Sequence, residues 1–184
     1  MEILDFKSAF SYPFNRAKGM LNILWVFLPI IGWLALLGYT VRIIKEFLDG
    51  KFTKLPEMKF GKDLEFGFLM FVKSLPFAIA YSVAMAIVGF ISPGLQSIVD
   101  FLLSLFVIPI LGINFFKKET VGSYFEFGVV KAVFTNLGDY IVAILKSIGL
   151  AIIFIIMCVI LVGFPALSFT QNIFLADFYR RYVK

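Results

Sequence analysis

Five ionisable side chains lie inside or beside the long apolar runs of this chain: Lys73, Asp100, Asp139, Lys146 and Asp177. Charges in hydrocarbon are costly and tend to mark ion pairs or solute pathways. Asp139 falls at the start of a helix that opens at Gly138, where a carboxylate favours the helix dipole, so its chemistry reads as capping. Lys73 and Lys146 sit about eight residues, or ~12 Å, inside the charged ends of their helices, within the reach of a snorkelling side chain. Asp177 falls at a similar depth on the last helix, so Lys73, Lys146 and Asp177 are candidates for intramembrane ion pairs that fix helix packing.

Asp100 is a different case. It follows Gly94 by six residues on an uncharged stretch, with no cation expected at its depth. Gln96, four residues earlier, shares its helix face, and Asn114, fourteen residues later, returns near it. Gln96, Asp100 and Asn114 form a candidate polar stripe that could line a water-filled path. The same three side chains suit a helix–helix polar contact or an oligomer seam, and the spacing alone does not choose between them.

Catalysis finds little material. The chain has no His, so nucleophilic triads are limited to Lys or carboxylate variants. Ser74 is adjacent to Lys73 and therefore points away from it on a helix. No glycine-rich phosphate loop is present, and paired carboxylates are missing from the apolar runs. A single cysteine, Cys158, sits mid-run and reads as a small apolar side chain, so neither an internal disulfide nor a His- or Cys-based zinc site is expected. No enzyme activity and no cofactor are expected.

The elements that position these residues are membrane helices. Of 184 residues, 61% are hydrophobic and 16% charged, with a mean hydropathy of +0.97, against about a quarter charged in soluble domains. Ile23–Val41, Ser74–Val99, Phe101–Phe116 and Ser147–Ala176 carry no charge, and runs of 18 or more apolar residues are long enough to cross a bilayer. The first twenty residues lack an apolar core and place Glu2 and Asp5 before the first Lys, so no cleaved leader is expected.

All basic residues except Lys73 and Lys146 fall in four clusters: residues 1–20, 42–65 and 117–131, and the last five. Between the clusters lie three uncharged Pro/Gly sites, at Pro29–Gly32, Pro93–Gly94 and Gly163–Pro165. If each is a turn, the chain is all-α, with about six hydrophobic helices in three hairpins and every charged cluster on one face. That face is then cytoplasmic by the basic-residue bias, which also accounts for the +5 net charge without nucleic acid.

The expected divisions are an interfacial helix over 1–20, a first hairpin or single span over 21–44, and a polar loop over 45–64. Hairpin 65–116, a second interfacial helix over 117–137 and hairpin 138–181 follow. Residues 3–21 and 121–133 repeat apolar side chains every three or four positions, so both predict amphipathic helices lying in the interface or packed on the protein itself. Over 21–44, helix length favours one crossing and charge placement favours a re-entrant hairpin.

The stretches "AFSYPFNRAKGMLN", "GYTVRIIKEFLDGKFTKLPE" and "LEFGFLMFVKSL" resemble the prokaryotic membrane family called domain of unknown function 4013. The matching positions are Tyr12-Pro13-Phe14, Gly38-Tyr39, Arg42, Gly50 and Leu55-Pro56-Glu57, within the first 75 residues or so. Met58-Lys59-Phe60 depart from the family pattern. The resemblance implies several membrane helices, no established activity or ligand, and a re-entrant first segment. The function expected is a non-catalytic scaffold, assembly or lipid-organising role in a prokaryotic plasma membrane. Its partners would be the lipid bilayer and a homo-oligomer or other membrane protein. The competing expectation is a channel or transporter using the Gln96–Asp100–Asn114 stripe.

Overall fold

In a computed structural model, which describes residues 3–183, the described residues form helices and irregular turns with no strand. Helix α1 (Phe6–Ser11) starts behind Asp5, whose carboxylate accepts the Ser8 N–H at 2.5 Å, an N-cap arrangement. A 3₁₀ turn at Phe14–Arg16 leads into α2 (Ala17–Met20). The predicted amphipathic helix over 3–21 is therefore broken after Ser11, where Pro13 follows. Its apolar residues Leu4, Ala9 and Tyr12 are buried in the protein, and Phe6 stacks on Phe174.

The stretch 21–44 is not one continuous helix. Leu21–Phe27 is 3₁₀, and α3 spans Ile31–Leu48 after a reversal at Leu28–Ile30. Ile30 adopts a positive φ of 63°, and the Trp33 indole N–H donates to the Val26 carbonyl at 2.8 Å across the turn. Gly32 makes the reversal sterically feasible, because a Cβ there would lie 1.8 Å from the Trp25 carbonyl oxygen.

Helix α4 (Phe60–Ile91) is 32 residues, about 48 Å long. It crosses α3 with the backbones in contact: a Cβ on Gly38 would stand 2.0 Å from Asp63 O, and one on Gly67 1.8 Å from Leu34 O. After a turn at Ser92, whose hydroxyl accepts the Leu95 N–H, α5 (Pro93–Phe106) returns along α4. The second arm of the hairpin predicted over 65–116 is bent by 44° at Val107. It continues as α6 (Ile108–Lys118), because Pro109 has no N–H to carry the ladder across.

The second predicted interfacial helix resolves into 3₁₀ turns at Val121–Phe125 and Phe127–Val129 followed by the short α7 (Val130–Thr135). Helix α8 (Leu137–Met157) runs through a 3₁₀ turn to a reversal at Leu161, φ 62°. The returning arm is split into α9 (Gly163–Thr170) and α10 (Ile173–Tyr182), both packed on α8.

Two helical segments, Phe60–Ile91 and Leu137–Ile160, are long and apolar enough to cross a membrane, and the bent α5–α6 pair makes a third if it counts as one span. This is the signature of a membrane protein. Much of the core lies at the charged ends of the helices, where Tyr12, Tyr39, Phe47, Tyr140, Phe178 and Tyr179 are fully buried, and it continues along α8 and α9 through Leu150, Phe154, Ala166 and Phe169. By contrast, only 6% of the apolar stretch of α4 and 17% of that of α8 are covered by the rest of the protein.

Candidate functional site

The most densely connected polar region joins the last turns of α3 to the first turn of α4. Asp63 is buried, and its carboxylate pairs with Arg42, Nε to Oδ1 at 2.6 Å and Nη2 to Oδ2 at 2.8 Å. It also accepts the Lys59 N–H at 2.7 Å, so one side chain caps α4 and fastens it to α3. Arg42 donates further to the Glu57 carbonyl at 2.8 Å, and the buried Tyr39 hydroxyl donates to the Pro56 carbonyl at 3.0 Å. Arg16 reaches Glu57 from the amino-terminal side at 3.2 Å, and Asn15 donates to Thr53 O at 2.6 Å. The loop between α3 and α4 is thereby held along its length.

Beside this network a cleft of about 460 Å³ is lined by Arg42, Lys45, Glu46, Lys59, Lys62 and Glu119, with Asp49, Asp63 and Phe66. Its charges are of both signs, and Lys45 is paired with Glu119. Burial raises Glu46 above the ordinary glutamate value, against the opposing pull of Arg42 and Lys51. Among the described residues, no three His, Cys, Asp or Glu side chains converge in a way that could hold a metal ion.

A second polar network surrounds Asn114. This residue is buried on α6, accepts the Tyr179 hydroxyl at 2.5 Å, and donates to Ser123 O at 2.7 Å and Glu126 at 3.0 Å. Lys118 also pairs with Glu126, and together with the Asn114 bond it holds that carboxyl below the usual range. Asn114 thus fastens α10 and the loop after α6 to each other.

The bend at Val107 separates Asn114 from the two other residues of the predicted stripe. Asp100 stays on α5, exposed, and accepts a hydrogen bond from the Tyr81 hydroxyl of α4. Gln96 lies nearer the turn and packs over Gly89, where a Cβ would meet its amide oxygen at 2.3 Å. Gln96 and Asp100 therefore share the α4–α5 hairpin, and Asn114 belongs to the base.

The predicted ion pairs are likewise redistributed. Asp177 is buried on α10 and pairs with Arg180 at 2.6 Å and Arg181 at 3.1 Å, its own helix neighbours at i+3 and i+4. Lys73 donates to the Glu119 carbonyl at 2.8 Å, and Lys146 stands 5.8 Å from the centre of the Phe174 ring. Lys146 and Asp177 do line one narrow cleft with Asp139 and Arg181. Asp139 lies in the first turn of α8 and accepts the Tyr182 hydroxyl at 2.6 Å.

Sequence reasoning missed Asp63, Tyr81, Glu119 and Tyr179 as partners. Tyr81 had a signal, being the one Tyr in the charge-free run that faces Asp100 across the Ser92 turn. Asp63 had a weaker one, four residues past the helix start at Lys59.

The positions shared with the family now have structural roles. Gly38 is the α3–α4 crossing point, Tyr39 and Arg42 hold the loop, Leu55 is buried against Gly19, and Gly50 ends α3 at φ 76°. No curated protein and no solved structure matches the chain. The family described as "Protein of unknown function (DUF4013)" matches residues 21–163, which leaves Tyr12-Pro13-Phe14 outside the match but reaches well past residue 75, where the resemblance in sequence stopped. With most of its length inside that match, the chain belongs to the DUF4013 family.

Proposed function

We propose that this protein is a non-catalytic membrane scaffold of the prokaryotic plasma membrane. Its charged base lies at the cytoplasmic interface and organises lipid or a membrane partner around helices that enter the bilayer. The observation that carries this reading is the α4–α5 hairpin. It leaves the base as a long apolar arm, with Ile79, Val83, Ile87, Phe90, Ile98 and Phe101 all exposed. An apolar surface of this extent needs a covering that the chain itself does not supply.

The first hairpin is shallow in this reading. From Ile31 to Val41 the apolar arm of α3 is 11 residues, about 16 Å, roughly half of a ~30 Å hydrocarbon core. It therefore enters and leaves on the charged side. The returning arm α9–α10 is likewise too interrupted for a simple span.

The competing channel reading draws on Asp100, but it loses Asn114 to the base. Proteoliposomes separate the two. With increasing protein-to-lipid ratio, the scaffold changes acyl order, read by a polarity-sensitive membrane dye, while proton, Na⁺ and K⁺ flux stays at the protein-free level. Flux above that level that Asp100→Asn abolishes would overturn the scaffold reading.

A further inference from the structure

Helix α4 carries no charged side chain from Ser74 to its end at Ile91, 18 residues or about 27 Å. That length is close to the thickness of the hydrocarbon core. Lys73 marks the near edge of this slab, because its ammonium donates to Glu119 O at the carboxyl end of α6. Tyr81 lies eight residues further on, about 12 Å, and so falls near the bilayer midplane. Opposite it on α5, the Asp100 carboxylate accepts a hydrogen bond from its hydroxyl. Asp100 is exposed in the single chain, and so are its apolar neighbours Ile98, Phe101 and Leu102.

We propose that the α4–α5 hairpin is a self-association surface, with a second copy of this chain covering the Tyr81–Asp100 pair at the bilayer midplane. The inference rests on the scaffold reading and deepens it by naming the partner. Acyl chains would leave the carboxyl group facing hydrocarbon, among the most costly of placements. A second hairpin brings the complementary groups at the same depth. Asp100 uses one acceptor site on Tyr81 and keeps others. Gln96, one turn towards the tip of α5, carries an amide with two donors, while Ser104, one turn the other way, already bonds the Tyr81 hydroxyl within the chain. A twofold axis through the hairpin would set the Asp100 of one copy beside the Gln96 amide of the other. Ala84, exposed and one turn from Tyr81, leaves room for the backbones to approach.

The test uses the full chain with Cys158→Ala in liposomes, diluted over a wide range of lipid, with subunits counted by single-molecule photobleaching. The expected result is a dimer whose midpoint moves by roughly three- to thirtyfold in protein-to-lipid ratio with Asp100→Leu, the scale of lost intramembrane hydrogen bonds. Asp100→Asn, which keeps a polar group, stays within a few-fold of the parent. In the otherwise unaltered hairpin, Ser104→Cys links two copies with a short bifunctional reagent, and Leu145→Cys on α8 does not. This second readout holds even if Asp100→Leu fails to fold. A monomer at every dilution overturns the proposal, as does cross-linking through Leu145 in place of Ser104. A monomer that still changes acyl order refutes the seam alone and leaves the scaffold reading standing. A monomer whose cation flux depends on Asp100 refutes both.

Discussion

Adding one methyl group at the α3–α4 crossing should loosen the whole charged base. A Cβ on Gly38 would lie 2.0 Å from Asp63 O, and one on Gly67 1.8 Å from Leu34 O, where real Cβ contacts essentially never fall below 3.0 Å. The obstructing atoms are backbone, so no rotamer change relieves the overlap. The helices must part by at least about 1 Å, and overpacking of this kind costs ~1–3 kcal/mol. Alanine recovers ~1 kcal/mol of that through helix propensity, leaving a net loss of about 0–2 kcal/mol, and the full ~1–3 kcal/mol against an alanine that meets no obstruction. For a chain of this length, each kcal/mol shifts the midpoint by ~2–4 °C, so Gly38→Ala should unfold up to ~8 °C below the parent and ~2–12 °C below an unobstructed Gly→Ala control.

The assay is the loss of monodisperse protein on heating in mild detergent, read by size-exclusion fluorescence. Gly112→Ala on α6 is the control, since a Cβ there meets nothing within 4 Å, and it should be neutral or stabilising. Combining Gly38→Ala with Gly67→Ala should cost clearly less than the sum, because one separation of the helices relieves both overlaps. Equal behaviour of Gly38→Ala and Gly112→Ala, or full additivity of the pair, would refute the claim that the two backbones touch.

Removing the Tyr39 hydroxyl with Tyr39→Phe leaves the Pro56 carbonyl without its buried donor and should cost about 1 kcal/mol in the same assay. Asp63→Asn should cost about 2–3 kcal/mol, less than the loss of a fully buried pair because the Arg42 side chain is 30% exposed. A double-mutant cycle with Arg42→Gln should return a coupling above ~1 kcal/mol. Glu46 is raised by burial, so its contribution is complete below its unfolded value near 4.5 and is lost as pH rises through the folded one. Glu46→Gln should therefore stabilise the protein at neutral pH and lose that advantage in acid, as pH-dependent unfolding will show. With Cys158 replaced, single cysteines at Ser11 and Met58 should label from the same side of the membrane, and labelling from opposite sides would eliminate the shallow first hairpin.

The gross plan was legible because charge and hydropathy are local properties of a sequence. The charge-free runs and the Pro/Gly sites between basic clusters fall where the chain reverses, at Leu28–Ile30, Ser92 and Leu161. The breaks inside helices were harder to read. Pro109 was visible, but Pro76 lies inside α4 without ending it, so a proline alone does not tell a bend from a continuous helix. Pairings were the least legible. Asp177 has the composition of an intramembrane partner for Lys146, yet Arg180 and Arg181 on the same helix reach it first. Asn114 looked like the third member of a stripe because α5 and α6 were extrapolated as one rod. A 44° bend redirects every residue beyond it.

The contrast between a packed base and a bare α4–α5 hairpin follows from the two solvents a membrane protein meets. Near water, burial of apolar surface drives helices together, and the polar groups buried with them require partners. That end holds the buried Tyr39, Asp63, Asn114, Asp177 and Tyr179, each with hydrogen bonds to other parts of the chain or to its own helix. In hydrocarbon there is no such drive, since a lipid tail covers isoleucine as well as another isoleucine does. Phe90 can therefore stand 94% exposed at the end of α4 without cost. A carboxylate has no such freedom, which makes Asp100 the residue on the hairpin whose exposure demands a physical explanation. In this fold the base holds the shape, while the α4–α5 hairpin and the outer face of α8 are left bare.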